Sequence, residues 1–480
     1  MASADGEGLG LRSERGRVLF ALLLSMGLIA IDTTVLATAV PSVVADLGDF
    51  GQFPWLFSIY LLAQAVSVPV YGKLADTFGR KRIMLVGISL FLLGSVLCGA
   101  AWSMPALIAF RAVQGLGAGA IQPMSMTIVS DLYTLQERGR VQGYLGSVWG
   151  IASVVGPTIG GVFTQWSSWR LVFFVNIPLC IGAGWVLLRF FREKVTRREH
   201  RIDYAGAALL TIGCTLLILG LLEGGRSWAW RSTASAVVFG AGLALIAAFI
   251  AVERRAAEPV LPFWLFRRRI LVSTNAAGVL LGALLLGLTS FVPTFAQKVL
   301  GTGPLVAGFA LATMTIAWPI SSSQSSKLYL RIGFRATALL GALVATTGSV
   351  LLTLLGSGSS ILFVAGACFV VGAGLGLVAA PILIAAQTTV GWSERGVVTG
   401  TNMFSRSIGS AVGVAVFGAI ANATLGDGEQ TPEQLSRASH HVFLAVLVAA
   451  VLMVIALSTM PKVVREHVEP KPETEPATAA

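Results

Sequence analysis

Between residues 18 and 460 the chain repeats one pattern about fourteen times: an apolar run of roughly 20 residues, then a short polar link. At about 1.5 Å per helical residue such a run matches the hydrocarbon core of a bilayer. Backbone polar groups in hydrocarbon must be satisfied within their own segment, so the runs must be helices. They fall at 18–41, 54–72, 83–101, 105–130, 141–164, 171–190, 204–222, 234–252, 271–297, 305–326, 337–355, 361–386, 397–421 and 441–460. The first is too long for a signal-peptide core and has no convincing cleavage site, which makes it a retained helix. With 55% hydrophobic and 12% charged residues the chain has too little polar surface to cover a soluble globule. The expected fold class is an all-α integral membrane protein.

Loop charge tests the helix count. With the amino terminus taken as cytoplasmic, Arg170, Arg226, Arg231, Lys298 and Arg437 fall on the far side, and Arg111 and Arg406 within spans. All other Lys and Arg lie in or beside cytoplasmic segments. That asymmetry fits an even number of helices, both termini cytoplasmic, and a multi-pass protein of the cell inner (plasma) membrane. It also accounts for the net charge of +11 without nucleic acid as a partner. Cys98, Cys180, Cys214 and Cys368 lie in apolar runs without metal-ligand spacing, and the four histidines sit at loops or span ends, so no metal or cofactor is expected.

The chain also repeats itself internally. Residues 136–143 (QERGRVQG) return as 393–400 (SERGVVTG), and at the same offset Gly115, Gly117 and Gly119 map onto Gly372, Gly374 and Gly376, and Gly156 onto Gly413. This implies two related six-helix bundles plus a two-helix insert, fourteen transmembrane helices in all. The expected divisions are a cytoplasmic tail 1–16, a first bundle 17–190, the insert 191–270, a second bundle 271–461 and a disordered tail 462–480. The link at 72–82 (GKLADTFGRKR) reads as a hinge. Gly72 and Gly79 permit a tight reversal, and Asp76 lies one helical turn from Arg80. Its repeat, 326–333 (SKLYLRIG), has Leu330 where the first copy has the acid.

Three more stretches carry a resemblance. The first helix ends in IDTTVLATAVP (31–41), the fourth contains RAVQGLGAG (111–119) and the fifth holds GPTIGG (156–161). Together with the hinge, these resemble the fourteen-helix drug:proton antiporter family of the major facilitator superfamily, of multidrug efflux type. The resemblance implies that Asp32 and Arg111 lie close together and couple transport to protons. It implies that Gly72, Asp76, Gly79, Arg80 and Asp131 gate the inner face, with Asp76 near the amino-terminal end of a second-half helix. Gly156, Pro157 and Gly160 would form a bent, tightly packed segment sealing the outer side; small residues at a helix interface explain part of that pattern without it.

Asp32 is the one acid well inside an expected run, and an ionisable group there costs several kcal/mol unless paired or wet. The helical rise puts Asp32 about 22 Å from Arg17, and Arg111 about 9 Å from Pro105, so both fall in the outer half of the membrane. Arg406, about 14 Å into its helix, has no evident acid partner; packing through helix carbonyls and substrate binding both remain open. Further cavity-lining candidates are Gln64, Trp149, Asn275, Phe291, Trp318 and Asn402, although packing is the better account of each taken singly. Trp166, Trp169, Trp228 and Trp230 read as outer-interface anchors. Gly115-x-Gly117-x-Gly119 lies in an apolar helix with no preceding strand, so it packs helices and binds no nucleotide. The function expected is proton-coupled export of small amphipathic compounds by a monomer, not an enzyme. A dedicated exporter of one endogenous metabolite or lipid, and a non-transporting receptor or scaffold on the same fold, are the alternatives.

Overall fold

The computed structural model describes residues 13–48, 55–193, 203–225, 228–256, 259–425 and 431–462. Both tails, most of the basic stretch before the insert, and Ser227 with its neighbour therefore lie outside the described residues. The first bundle comprises α1 (Glu14–Leu47), α2 (Trp55–Phe78), α3 (Arg80–Gly99), α4 (Met104–Leu132) and α5 (Leu135–Trp166). Its sixth span is broken at Val175 into α6 (Leu171–Phe174) and α7 (Asn176–Phe190). The insert is the hairpin α8 (Tyr204–Glu223) and α9 (Thr233–Glu253), followed by the short α10 (Trp264–Arg267). The second bundle runs α11 (Arg269–Lys298), α12 (Pro304–Ile332), α13 (Phe334–Thr353), α14 (Ile361–Thr388), α15 (Arg395–Leu425) and α16 (Pro432–Ser458). Among the described residues thirteen helices are long and apolar enough to cross a membrane. The remaining expected run falls in the 32-residue α5, which is not among the thirteen, so fourteen is an approximate count.

Helix ends follow from local chemistry. Ser13, Ser103, Asp203 and Ser232 each accept a backbone N–H from the first turn of the helix they precede, and Thr134 with Glu137 forms a capping box at α5. Gly79 (φ 96°) and Gly333 (φ 86°) occupy the same place in the two hinges. That region of backbone space disfavours any residue with a Cβ.

Glycines also set the packing within each bundle. Gly87 of α3 meets Gly117 of α4, as Gly341 of α13 meets Gly374 of α14; Gly115 abuts Tyr60, as Gly372 abuts Met314. A Cβ at any of these would fall inside contact distance of a neighbour, so the helices cross with backbones almost touching. Between the bundles, Gly139 and Gly143 of α5 meet Ser326 and Ser323 of α12, and Gly72 of α2 meets Gly396 of α15. These contacts lie toward the end carrying the chain termini. Further along α5, a Cβ at Gly150 or Gly161 would meet no described atom within 4 Å outside its own helix. Among the described residues the bundles are thus in close contact at the terminal end and parted along α5 toward the other.

The insert packs on α2 and α15. Leu210, Cys214 and Ile218 of α8 share an apolar cluster with Leu62 and Val66 of α2 and Phe404 and Ala411 of α15. At the parted end, Trp169 corrects its expected role: it is 4% exposed and donates Nε1–H to Asp46 at 3.0 Å, so it is spent on packing. That bond, with the one from Arg170, holds the Asp46 carboxyl below its ordinary range. Trp230 is 40% exposed and stacks on Phe239.

Candidate functional site

Two polar clusters stand out from the apolar packing, one inside the first bundle and one where the bundles meet. In the first, α1 presents Asp32 and α4 presents Arg111, both 0% exposed. Arg111 Nη1 donates to Asp32 Oδ2 at 2.5 Å. Gln114, one helical turn along from Arg111, donates through Nε2 to Asp32 Oδ1 at 2.7 Å, while its Oε1 accepts from Arg111 Nη1 at 2.7 Å. Asn176, the first residue after the break at Val175, donates to the same Oδ1 at 3.2 Å. Ser95 of α3 accepts from both Gln114 and Asn176. The guanidinium also donates to the Leu56 carbonyl at 3.1 Å and stands 4.2 Å from the centre of the Tyr60 ring.

Five helices thus converge on one carboxylate, which accepts three hydrogen bonds. A buried ion pair keeps its charges only with excellent geometry and further hydrogen bonds, and Asp32 has both. Removing one partner costs about 3–5 kcal/mol, so protonating Asp32, which cancels its charge, would leave Arg111 buried beside a weak acceptor.

The second cluster lies at the hinge. Arg80 donates through Nη2 to Asp76 Oδ1 at 2.8 Å and to the Trp392 carbonyl, and its Nε is 3.3 Å from Asp131 Oδ2. Its guanidinium carbon stands over the Trp392 ring, 3.5 Å from the ring centre. Asp76 accepts from the backbone N–H groups of Gly396 (2.9 Å) and Val397 (2.8 Å), the first turn of α15. A carboxylate is favoured there because a helix amino terminus exposes unpaired N–H groups and carries the positive end of the helix dipole. Arg395 crosses the same boundary to Asp131 Oδ1 at 2.9 Å. Glu193 accepts from the N–H groups of Arg80 and Lys81, fixing the start of α3. The hinge of the first bundle is therefore bound to the second by charge. At the equivalent place in the second bundle, Tyr329 donates its hydroxyl to the Leu135 carbonyl of α5.

The remaining candidates are scattered. A Cβ at Gly156 would strike Thr34, whose hydroxyl bonds the Ala152 carbonyl at 3.0 Å; α5 and α1 are tightly joined there. Gly160 is buried in the same helix, and the side chain of Pro157 falls outside the described residues. Gln64 is engaged with Gln122 at 3.0 Å, linking α2 to α4. Asn402 is 7% exposed and bonds Asn275 and the Thr274 carbonyl, so that pair joins α15 to α11. Trp149, Phe291 and Trp318 are half-buried, the first against the core of the first bundle and the other two against that of the second. Trp318 lies 3.8 Å from where a Cβ on Gly146 would stand, one turn from Trp149. Arg406 is part-exposed, and no carbonyl contact is found for it among the described residues.

Sequence reasoning missed Gln114, Asn176, Tyr60, Trp392 and Arg395. Gln114 had a usable signal, since its spacing of three from Arg111 puts both on one helix face. Arg395 stood within the internal repeat, but only the folded chain brings it to Asp131.

The family model for the Major Facilitator Superfamily matches residues 22–414. Over 403 residues the chain is 35% identical to Multidrug resistance protein 3 of Bacillus subtilis (strain 168), covering 84% of this chain and 79% of the relative. Over 418 residues it is 36% identical to Multidrug transporter protein MdtP of the same organism, covering 87% and 77%. In fold it resembles the crystal structure of a bacterial homologue of iron transporter ferroportin in an outward-facing state, with a TM-score of 0.66, 12% identity and coverage of 93% of this chain and 100% of that one.

Proposed function

The chain belongs to the Major Facilitator Superfamily, and on that premise we propose that it is a proton-coupled exporter of small amphipathic or apolar compounds, working by alternating access. The family makes it a multi-pass membrane transporter of small molecules, and the relatives named for multidrug resistance and transport favour export of foreign compounds. The observation that carries the reading is the Asp32 cluster: one fully buried carboxylate, held by groups from several helices, whose protonation would undo the pairing. Proton binding and a change of helix arrangement are then one event, which is what coupling requires.

Alternating access draws support from the uneven contact between the bundles. They are latched by Asp76, Arg80, Asp131 and Arg395 at the terminal end, which charge asymmetry assigns to the cytoplasm, and parted at the other. Both termini are then cytoplasmic in a plasma-membrane protein acting as a monomer. One proton crossing about 100 mV supplies about 2.3 kcal/mol, enough for about a 50-fold gradient of a neutral compound. The experiment uses inverted vesicles carrying the wild-type protein. Acidifying the lumen should drive accumulation of a transported dye, abolished by a protonophore, and adding dye should release protons. Accumulation unaffected by the protonophore would refute proton coupling.

A further inference from the structure

The link from the insert to the second bundle carries five arginines, Arg254, Arg255, Arg267, Arg268 and Arg269, and one acid, Glu258, which lies outside the described residues. Since α9 ends at Glu253 and α11 begins at Arg269, the link runs at the depth where two spans leave hydrocarbon. Its course is set by one bond. Glu253 Oε1 accepts the Leu261 N–H at 2.6 Å, which turns the chain back onto the end of α9. Val260, Leu261 and Leu265 are then buried in the apolar cluster that α8 shares with α2 and α15. What stays outside is Phe263 (37% exposed), Phe266 (58% exposed) and all five arginines.

The turn gathers charge from two parts of the molecule. The guanidinium of Arg254, at the end of the insert, stands 6.0 Å from the centre of the Phe263 ring. That of Arg268, at the entry to the second bundle, stands 4.5 Å from the ring of the next residue, Trp264. Elsewhere at this end of the molecule cations are spent on carboxylates: Arg15 on Glu137, Arg80 on Asp76 and Arg395 on Asp131. Among the described residues none of the five link arginines meets a carboxylate, and only Arg268 makes a side-chain hydrogen bond, to the Thr389 carbonyl at 3.1 Å. A guanidinium suits phosphate through two parallel hydrogen bonds, and exposed aromatic rings suit the boundary between headgroups and acyl chains.

We propose that this junction binds an anionic phospholipid, its headgroup phosphate held between the insert and the second bundle by Arg254 and Arg268, and its acyl chains against Phe263 and Phe266. The other three arginines add positive charge around the headgroup. A lipid so placed ties the insert to the second bundle. The site is independent of what is transported and of how transport is driven.

The test is native mass spectrometry of the full-length protein in detergent, titrated with dioleoylphosphatidylglycerol or with dioleoylphosphatidylcholine, which share acyl chains and differ in headgroup charge. The wild type should bind one phosphatidylglycerol about 25-fold more tightly than phosphatidylcholine, about 5-fold for each of the two arginines on the phosphate. Arg254→Gln combined with Arg268→Gln should bring the two lipids within about 3-fold by weakening phosphatidylglycerol alone. Unchanged phosphatidylcholine binding reports that the variant is folded, and the paired Arg→Lys variant should keep part of the preference. Arg82→Gln combined with Arg331→Gln removes the same charge from exposed positions at the same end and should leave the preference intact. Equal binding of the two lipids by the wild type, a preference that survives loss of Arg254 and Arg268, or an equal loss in the Arg82 and Arg331 variant would overturn the proposal. Displacement of phosphatidylglycerol by a millimolar excess of inorganic phosphate would overturn it too, since the site would then take free phosphate.

Discussion

Gly94 of α3 packs against Gln114, and its counterpart in the second bundle, Gly348 of α13, packs against Val371. The same helix crossing is thus filled by a polar side chain in one bundle and an apolar one in the other. The pattern recurs: Arg111 corresponds to Cys368, Asp76 to Leu330, and α11, the counterpart of α1, contains no acid. The close backbone contacts that define the fold are made twice, and the buried charges once. Packing through glycine costs little and serves both copies alike, whereas each buried ion pair carries a desolvation penalty of several kcal/mol. A second pair would add that penalty without adding to the fold.

The sharpest way to break this comparison is to treat matched positions alike. Arg111→Ala leaves Asp32 buried without its cation and should lower stability by about 3–5 kcal/mol, read as earlier thermal inactivation in detergent. Cys368→Ala, its counterpart, removes only a sulfur from an apolar site and should cost about 1 kcal/mol. Equal losses would show that the Asp32 pair is ordinary packing. The next effect is symmetric by expectation. Gly115→Ala and Gly372→Ala each push a Cβ into the backbone of a neighbouring helix, at Tyr60 and at Met314, and should each cost about 1–3 kcal/mol. A marked difference between them would mean that the two crossings are not equivalent.

The smallest effect on stability is expected at the hinges, where the comparison is functional. Asp76→Asn weakens the charged latch and should shift the balance between access states by about 1–2 kcal/mol, a factor of 5–30 in population, with transport reduced and little loss of fold. Cysteine labelling of the cavity from the cytoplasmic side should rise accordingly. Tyr329→Phe removes the neutral hydrogen bond in the second hinge and should alter both readouts less, by about 1 kcal/mol or below. A larger effect of Tyr329→Phe would place the gate in the other half.

Much of this was legible in the chain. Run length dictated the helices, and the repeated glycines gave the two bundles, because both are local consequences of the bilayer and of close packing. A ruler along a helix fixed the depth of Asp32 and Arg111 but not their azimuth, so their meeting at 2.5 Å rested on resemblance until the fold supplied it. Asn176 could not have been assigned, since its role depends on the break at Val175 that turns it toward Asp32. Trp392, a lone aromatic in a link, stacks on Arg80 only because α15 returns to the hinge. Trp169 was misread because burial at a span end is set by tertiary packing, which composition does not report.

The central claim is that Asp32, the carboxylate buried inside the first bundle, carries the coupling proton. Asp32→Asn keeps the size of the side chain and removes its titration, but it leaves Arg111 without its anion and turns an amide NH2 toward donors that the carboxylate had satisfied, so its stability is measured alongside. The direct measurement is dye accumulation in inverted vesicles under an imposed pH gradient, with proton release recorded on dye addition. The variant should reach the membrane in normal amount and still equilibrate dye down its gradient. Its pH-driven accumulation and dye-induced proton release should both fall to the level of vesicles without the protein. Persistence of proton-driven accumulation in Asp32→Asn would contradict the account and place the carrier elsewhere.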